Sequence, residues 1–454
     1  MMANAGHKPK PDPARLLVFT LLTQVNREGA YANLRLPELL QASNLEERDR
    51  AFATELAYGT LRMQGKHDVL IEAKADRPFN ELDSGVVDCL RMGIHQLFEM
   101  RVSDHAAVSE SVEIARAVLG ESKGSFINAI LRAASADQQF YEKYENLKSE
   151  DPAKALSVIY SHPEWIVRSF YDGLGDWHEV EKLLAADNLP AQPNLIAWPG
   201  KSTVDELLDE GATELSGTQF GATAHQMPGL YKAIRERRAG VQDRGSQWVA
   251  EIFRNTATEP ATLSWLDMCA GPGGKASALY NMLHVDRPAD LFTANEPSEH
   301  RARLVSHVIP VEHVIMHRGQ DLPALGKTYD RIIIDAPCTG LGALRRRPEA
   351  RWRRTAVDLK ELVLIQKELL DSAVSILNPG GILAYVTCSP HLFETKIQVV
   401  DALRRHGEME LLPVKEFLPT QVPSSVVTPD GSIQLWTHQN ESDSMFMSLL
   451  RKKQ

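Results

Sequence analysis

Thr262–Leu283 reads TLSWLDMCAGPGGKASALYNML. An apolar run gives way to a glycine-rich turn, and the turn opens onto a helical pattern. Further segments continue this grammar. DLFTANEPSEHRARLVSHVI, residues 290–309, is a strand, an acidic turn and a helix. YDRIIIDAPC (329–338) and GGILAYVTCS (380–389) are buried strands, with the helix VDLKELVLIQKELLDSAVSIL (357–377) between them, and SMFMSLLRKK (444–453) closes the series as a strand. Strands alternating with helices predict a doubly wound, mostly parallel α/β sheet of Rossmann-like type over residues 241–454.

The turn Cys269-Ala270-Gly271-Pro272-Gly273-Gly274-Lys275 lets the backbone bend tightly and approach a ligand. It is neither GxGxxG nor a phosphate-binding P-loop, since no Ser or Thr follows Lys275. About 20 residues on, Glu296 follows the next strand, where a carboxylate accepts hydrogen bonds from ribose hydroxyls. Adenosine without a phosphate signature favours S-adenosylmethionine over NAD.

The preceding sequence is different. Val87, Leu90, Ile94 and Leu97 share a helix face, as do Val108, Val112, Ala115 and Leu119, with Gly120 as a stop. ERDRAFATELAYGTLR (47–62) is a further helix. Residues 13–140 are therefore expected to form an all-α bundle, and 141–240 a connector with a small α+β subdomain. Residues 1–12, polar and Pro-rich, read as a disordered tail rather than a signal peptide.

The chain of 454 residues carries a formal net charge of −10, with 43% apolar and 24% charged residues. These are the proportions of an ordinary soluble protein, and no apolar run approaches the roughly 20 residues that span a bilayer. The four cysteines, Cys89, Cys269, Cys338 and Cys388, form no CxxC pair. They suit a reduced, cytoplasmic setting and neither a disulfide framework nor a metal site. Cys89 lies in an apolar helical pattern and reads as a small core residue.

Cys338 and Cys388 both follow strands, at the carboxyl edge where open α/β sheets bind ligands. Thiols beside a methyl donor suit one chemistry well. Carbon 5 of a pyrimidine is a poor nucleophile until a thiolate adds to carbon 6. Asp335 could neutralise the ring edge by sharing a proton with N3.

DMCAGPGGK, DAPCTGLG and YVTCS resemble the motifs of the RNA cytosine-5 methyltransferases, and the N-terminal bundle resembles the NusB-like RNA-binding domain. The pairing is similar to that of the Sun/Fmu-type bacterial 16S ribosomal RNA methyltransferases. The resemblance implies that Cys388 is the nucleophile and that Cys338 assists release of the methylated base. It places Asp335 at the cytosine and near the methyl donor, Lys275 in the catalytic group, residues 269–275 around the methionine and adenosine, and Glu296 at the ribose. The acid expected beside the adenine amine is displaced here: Gln320 stands in its place and Asp321 follows; Gln320 could accept from the amine, and Asp321 is the preferred assignment. The implied substrate is ribosomal RNA, naked or early in small-subunit assembly, for a monomer with no DNA or membrane partner. Transfer RNA as substrate, or a noncatalytic assembly factor that kept the fold, are the competing readings.

DAPCTGLGALRRRPEARWRR (335–354) sets Arg345, Arg346, Arg347, Arg351, Arg353 and Arg354 directly after the Cys338 turn of an acidic chain. Arginine pairs bidentately with phosphate, so the cluster is expected to hold RNA backbone, with Trp352 available to stack on a base.

Overall fold

The computed structural model describes residues 11–224 and 230–454. The expected N-terminal tail lies outside the described residues apart from Pro11 and Asp12. Asp12 is a cap: its carboxylate accepts the backbone N–H of Arg15 at 2.9 Å and starts the helix Pro13–Glu28. The chain divides into two compact units.

The first unit is helical. Pro13–Glu28, Ala32–Ala42, Glu47–Arg62, Gln64–Lys74, Ser84–Phe98, Asp104–Leu119 and Glu121–Ser135 form its bundle. Local chemistry sets the ends. Asp83 and Ser103 cap the two helices that follow them, and Gly120 stops the second at a φ of +102°. Ser84–Phe98 is buried from Gly85 to Leu97, so the single face read from its periodicity understates it. Its own Leu90 and Ile94, and Leu21, Leu22, Leu56, Leu61 and Leu131 around it, are fully enclosed, each burial contributing about 1.5–3 kcal/mol.

Helices Glu142–Leu147, Pro152–Ile159, Glu164–Leu174 and Trp177–Asp187 extend this unit to Leu189. It also takes in Leu344–Arg353 from far along the chain. The connector expected at 141–240 is thus divided. Its helices group with the bundle, and its strands belong to the second unit.

The second unit comprises Pro190–Ala343 and Arg354–Gln454. Strands β1 (Asn194–Ala197), β2 (Thr213–Glu214), β3 (Gly221–Thr223) and β4 (Ala239–Val241) form a small antiparallel sheet in the order β2-β3-β1-β4. The main sheet uses β5 (Ser264–Asp267), β6 (Leu291–Asn295), β7 (Val314–Ile315), β8 (Tyr329–Asp335), β9 (Leu377–Thr387), β10 (Met409–Leu412), β11 (Ile433–Gln434) and β12 (Phe446–Lys452). Its order is β10-β12-β9-β8-β5-β6-β7, with β11 on β12. The run from β7 to β9 is parallel, and β12 enters antiparallel beside β9.

Alternate residues face opposite sides, and helices cover both. Trp265, Ile333, Ala384 and Val386 pack with Trp248, Phe253 and Leu279. Leu266, Ile332, Ile334, Leu383 and Tyr385 pack with Leu369, Leu370 and Val374 of the helix Ala356–Ile376. Burial on both faces is why these strands read as continuous apolar runs. Strand order reverses at β5, between β6 and β8, which opens a crevice at their carboxyl ends. Among the described residues, no helix is long and apolar enough to cross a membrane.

Candidate active site

The parallel register pairs Asp267 with Ile333 and Asp335 with Val386, so the carboxyl ends of β5, β8 and β9 lie level. The turns that follow carry Cys269–Lys275, Cys338 and Cys388 to the edge where Asp335 ends β8.

After β5, residues 268–273 lead into the helix Gly274–Asp286. Gly273 has a φ of +116°, which glycine adopts without penalty. A Cβ on Gly271 would lie 2.2 Å from Oε2 of Glu296. That close approach lets the Gly271 N–H donate to Oε2 at 3.1 Å, while the Ser298 N–H donates to Oε1 at 2.9 Å. Glu296 is buried. Arg301 lies 3.4 Å from its Oε2 and also donates to the Gly271 carbonyl. Asn295 fixes the backbone beneath, donating to the Met268 and His317 carbonyls at 3.0 and 2.9 Å. A carboxylate has about four lone-pair directions, so Glu296 keeps acceptor capacity for a diol.

Lys275 Nζ donates to Oδ2 of Asp335 at 2.9 Å. Burial lowers the lysine's pKa, but the neighbouring Asp335, Cys388 and Asp267 outweigh it and raise the net value. Asp267 heads the same motif, and sequence reasoning gave it no role. It is buried, accepts the Cys269 N–H at 3.2 Å, and has no partner on Oδ2. Burial first, then the charge of Asp335, pushes its pKa up to about 7. Burial and the nearby carboxylates Asp267, Asp335 and Glu296 also push up the Cys269 thiol.

Cys338 and Cys388 meet, with Sγ atoms 3.3 Å apart. The pKa of Cys338 is raised by its hydrogen bond to Cys388, then by burial, then by the charges of Cys388, Glu394 and Asp335. Backbone pins hold the two turns together. The Gly342 N–H donates to the Cys388 carbonyl at 2.9 Å, and the Ser444 N–H to the Gly342 carbonyl at 2.8 Å. Any Cβ on Gly342 would collide with the Ser444 carbonyl oxygen at 1.8 Å. Cys89, in contrast, is fully buried in the first unit.

Gln320 and Asp321 lie in the turn Gly319–Leu325 after β7, on the same carboxyl edge. Gln320 donates to Oε2 of Glu368 at 3.1 Å, and Asp321 is exposed.

The arginine cluster requires a correction. Arg351 is fully buried within the first unit. Its guanidinium donates to the carbonyls of Arg62, Ser161 and Asp187 at 3.1, 3.2 and 2.8 Å, and to Oδ1 of Asn188 at 2.7 Å. Those bonds remove it from any phosphate contact. Arg353 is also engaged, donating to the Val25, Gly29 and Ala30 carbonyls at 2.8, 3.1 and 2.5 Å. Trp352 packs its ring on Gly65, where a Cβ would lie 2.1 Å away, so it is not presented as a stacking platform. Arg347 is exposed, and Arg345, Arg346 and Arg354 are half-buried.

The family model "16S rRNA methyltransferase RsmB/F" matches residues 256–451, and the NusB family model matches 12–136. The protein Rv1407 of Mycobacterium tuberculosis H37Rv is 40% identical over 98% of both chains. Ribosomal RNA small subunit methyltransferase B of Pseudomonas putida is 30% identical over 83% of this chain and 85% of its own. The crystal structure of PH0851 superposes with a TM-score of 0.79 over 98% of this chain and 100% of its own; at 19% identity it speaks for the fold alone.

Proposed function

Since the chain belongs to the RsmB/F family of 16S ribosomal RNA methyltransferases and carries a NusB-family domain, we propose that it methylates carbon 5 of a cytosine through a Cys388 adduct, with S-adenosylmethionine as donor. The observation that carries this reading is the 3.3 Å approach of two thiols on the sheet edge that also holds the Lys275–Asp335 pair.

The residues of the crevice fit the donor. Gly271 and Gly273 leave room against the backbone, Glu296 has capacity for ribose hydroxyls, and Oδ2 of Asp267 is unpartnered. Cys269–Lys275 would line the methionine and adenosine, and Asp321 is our candidate at the adenine amine. S-adenosylmethionine supplies the methyl group.

Cys388 Sγ forms a bond to carbon 6, which gives carbon 5 enamine character, and Asp335 shares a proton with N3. Lys275 holds Asp335 in place and offsets its charge. Carbon 5 takes the methyl group, with S-adenosylhomocysteine as the leaving group, and then loses its proton to solvent at the crevice. The S–C6 bond breaks, the electron pair returns to Cys388, and the ring double bond is restored. Cys338 acts in this last stage. A cytosine must leave its stack to reach these groups, so exposed RNA early in assembly, in the cytoplasm, is the proposed substrate. Arg347 is our candidate for a phosphate contact.

Bisulfite sequencing of ribosomal and transfer RNA, with and without the gene, tests the assignment. Without the gene, one 16S position should lose its protected cytosine. Loss from transfer RNA alone, or no loss at all, would contradict it.

A further inference from the structure

Two thiols in contact compete for one role, and the surroundings must make them unequal. Glu394, in the turn after Cys388, is fully buried. Its Oε1 accepts the Thr339 N–H at 2.8 Å and the Gln366 amide at 3.2 Å, and its Oε2 accepts the Thr339 hydroxyl at 2.5 Å. Every partner donates, which is the role of a carboxylate. Gln366 also donates to the Pro337 carbonyl at 2.9 Å. Both neighbours of Cys338 are thus tied to one network, Thr339 to the carboxylate itself and Pro337 to the amide that bonds it. Tyr385 anchors the backbone of Glu394 at 2.8 Å. Because the Thr339 hydroxyl donates to Glu394, Ser389 must donate to it, and that 3.2 Å contact joins the two cysteine turns directly.

We infer that Glu394 is the positioning residue that holds the Pro337–Thr339 turn with Cys338 against Cys388 and places a buried negative charge on the Cys338 side of the pair. This rests on the proposed thiol mechanism and adds a reason for its asymmetry. The charge disfavours a thiolate at Cys338, and Glu394 is among the groups that raise its pKa. Cys388 instead interacts electrostatically with Lys275. The negative charge thus stands on the Cys338 side of the pair, the asymmetry that the two proposed roles require.

The test is alkylation of the full-length protein by iodoacetamide without RNA, read peptide by peptide by mass spectrometry across pH. In the wild type, Cys388 should react about tenfold faster than Cys338. Glu394→Gln keeps the size and one acceptor but removes the charge. It should shrink that preference to about threefold or less and move the first reactive step down by about half a pH unit. Glu394→Asp should restore part of the preference. Equal rates in the wild type would overturn the inference even if the variants fail to fold. So would an unchanged preference in a folded Glu394→Gln. Neither readout depends on methylation, so loss of this inference and loss of the cytosine assignment are separate results.

Discussion

Arg351 donates to the side chain of Asn188 at 2.7 Å, a bond made across 163 positions of sequence. Together with three backbone carbonyls it encloses the guanidinium within the helical unit, and burial lowers the arginine's pKa to about 10. Arg351→Ala would leave four acceptors without this donor, and we expect a loss of about 2–4 kcal/mol. Arg351→Lys should recover little, because an ammonium cannot reproduce the planar fork. Hydrogen exchange in Glu47–Arg62 and Trp177–Asp187 reads the effect. Exposed Arg347 should behave in the opposite way. Arg347→Ala removes a guanidinium that lies 5.4 Å from the Tyr31 ring centroid, so it should cost no more than about 1 kcal/mol and lower the salt dependence of RNA binding by about one phosphate contact.

The Gly271–Glu296 contact predicts how the donor binds. Glu296→Ala removes a buried acceptor and the partner of two backbone N–H groups. The affinity for S-adenosylmethionine should fall by about 1.5–3 kcal/mol, or roughly 10- to 150-fold. Calorimetry without RNA measures this, and unchanged affinity would count against the ribose assignment.

His67 and His95 meet edge to face, with ring centroids 5.4 Å apart, and no ring nitrogen of either has a hydrogen-bond partner. Burial, and then nearby positive groups, lowers the pKa of His95 to about 3 and holds His67 well below its ordinary value. The unfolded chain therefore binds more protons below about pH 6.5. Stability is complete above that pH and is lost as pH falls toward the folded values. Each histidine should contribute a loss of about 1.4 kcal/mol by one pH unit below 6.5. Denaturant unfolding at pH 7.5 and 5.5, read at Ser84–Phe98, should show a smaller difference for His95→Leu than for the wild type. Equal differences would exclude the pair as the source.

Part of this was legible in the sequence. The strands around Trp265, Ile333 and Leu383 announced themselves because both faces are covered, and the glycine turn and the two thiols follow strand ends that the fold then sets level. The arginines misled because charge alone does not reveal burial. Arg351 is enclosed by residues 62, 161, 187 and 188, a neighbourhood only the tertiary structure creates. Glu394 was missed for the same reason: an acid in TCSPHLFET looks solvated until Thr339 and Gln366 are brought onto it. Gly59 carried no signal either, although a Cβ there would lie 2.0 Å from Nε2 of His95. The break at Leu189 falls inside a stretch whose helices and strands read, from sequence, as one connector.

Cys388 and Cys338 divide the labour in the proposed reaction, and a denaturing gel with labelled ribosomal RNA and S-adenosylmethionine separates their roles. Cys388→Ser should methylate nothing and retain no RNA, since a hydroxyl is a far weaker nucleophile near neutral pH. Cys338→Ser should still form the adduct but fail to release it, giving a protein band that carries RNA. A covalent band with Cys388→Ser and none with Cys338→Ser would reverse the roles, and full activity in both variants would contradict the thiol mechanism altogether.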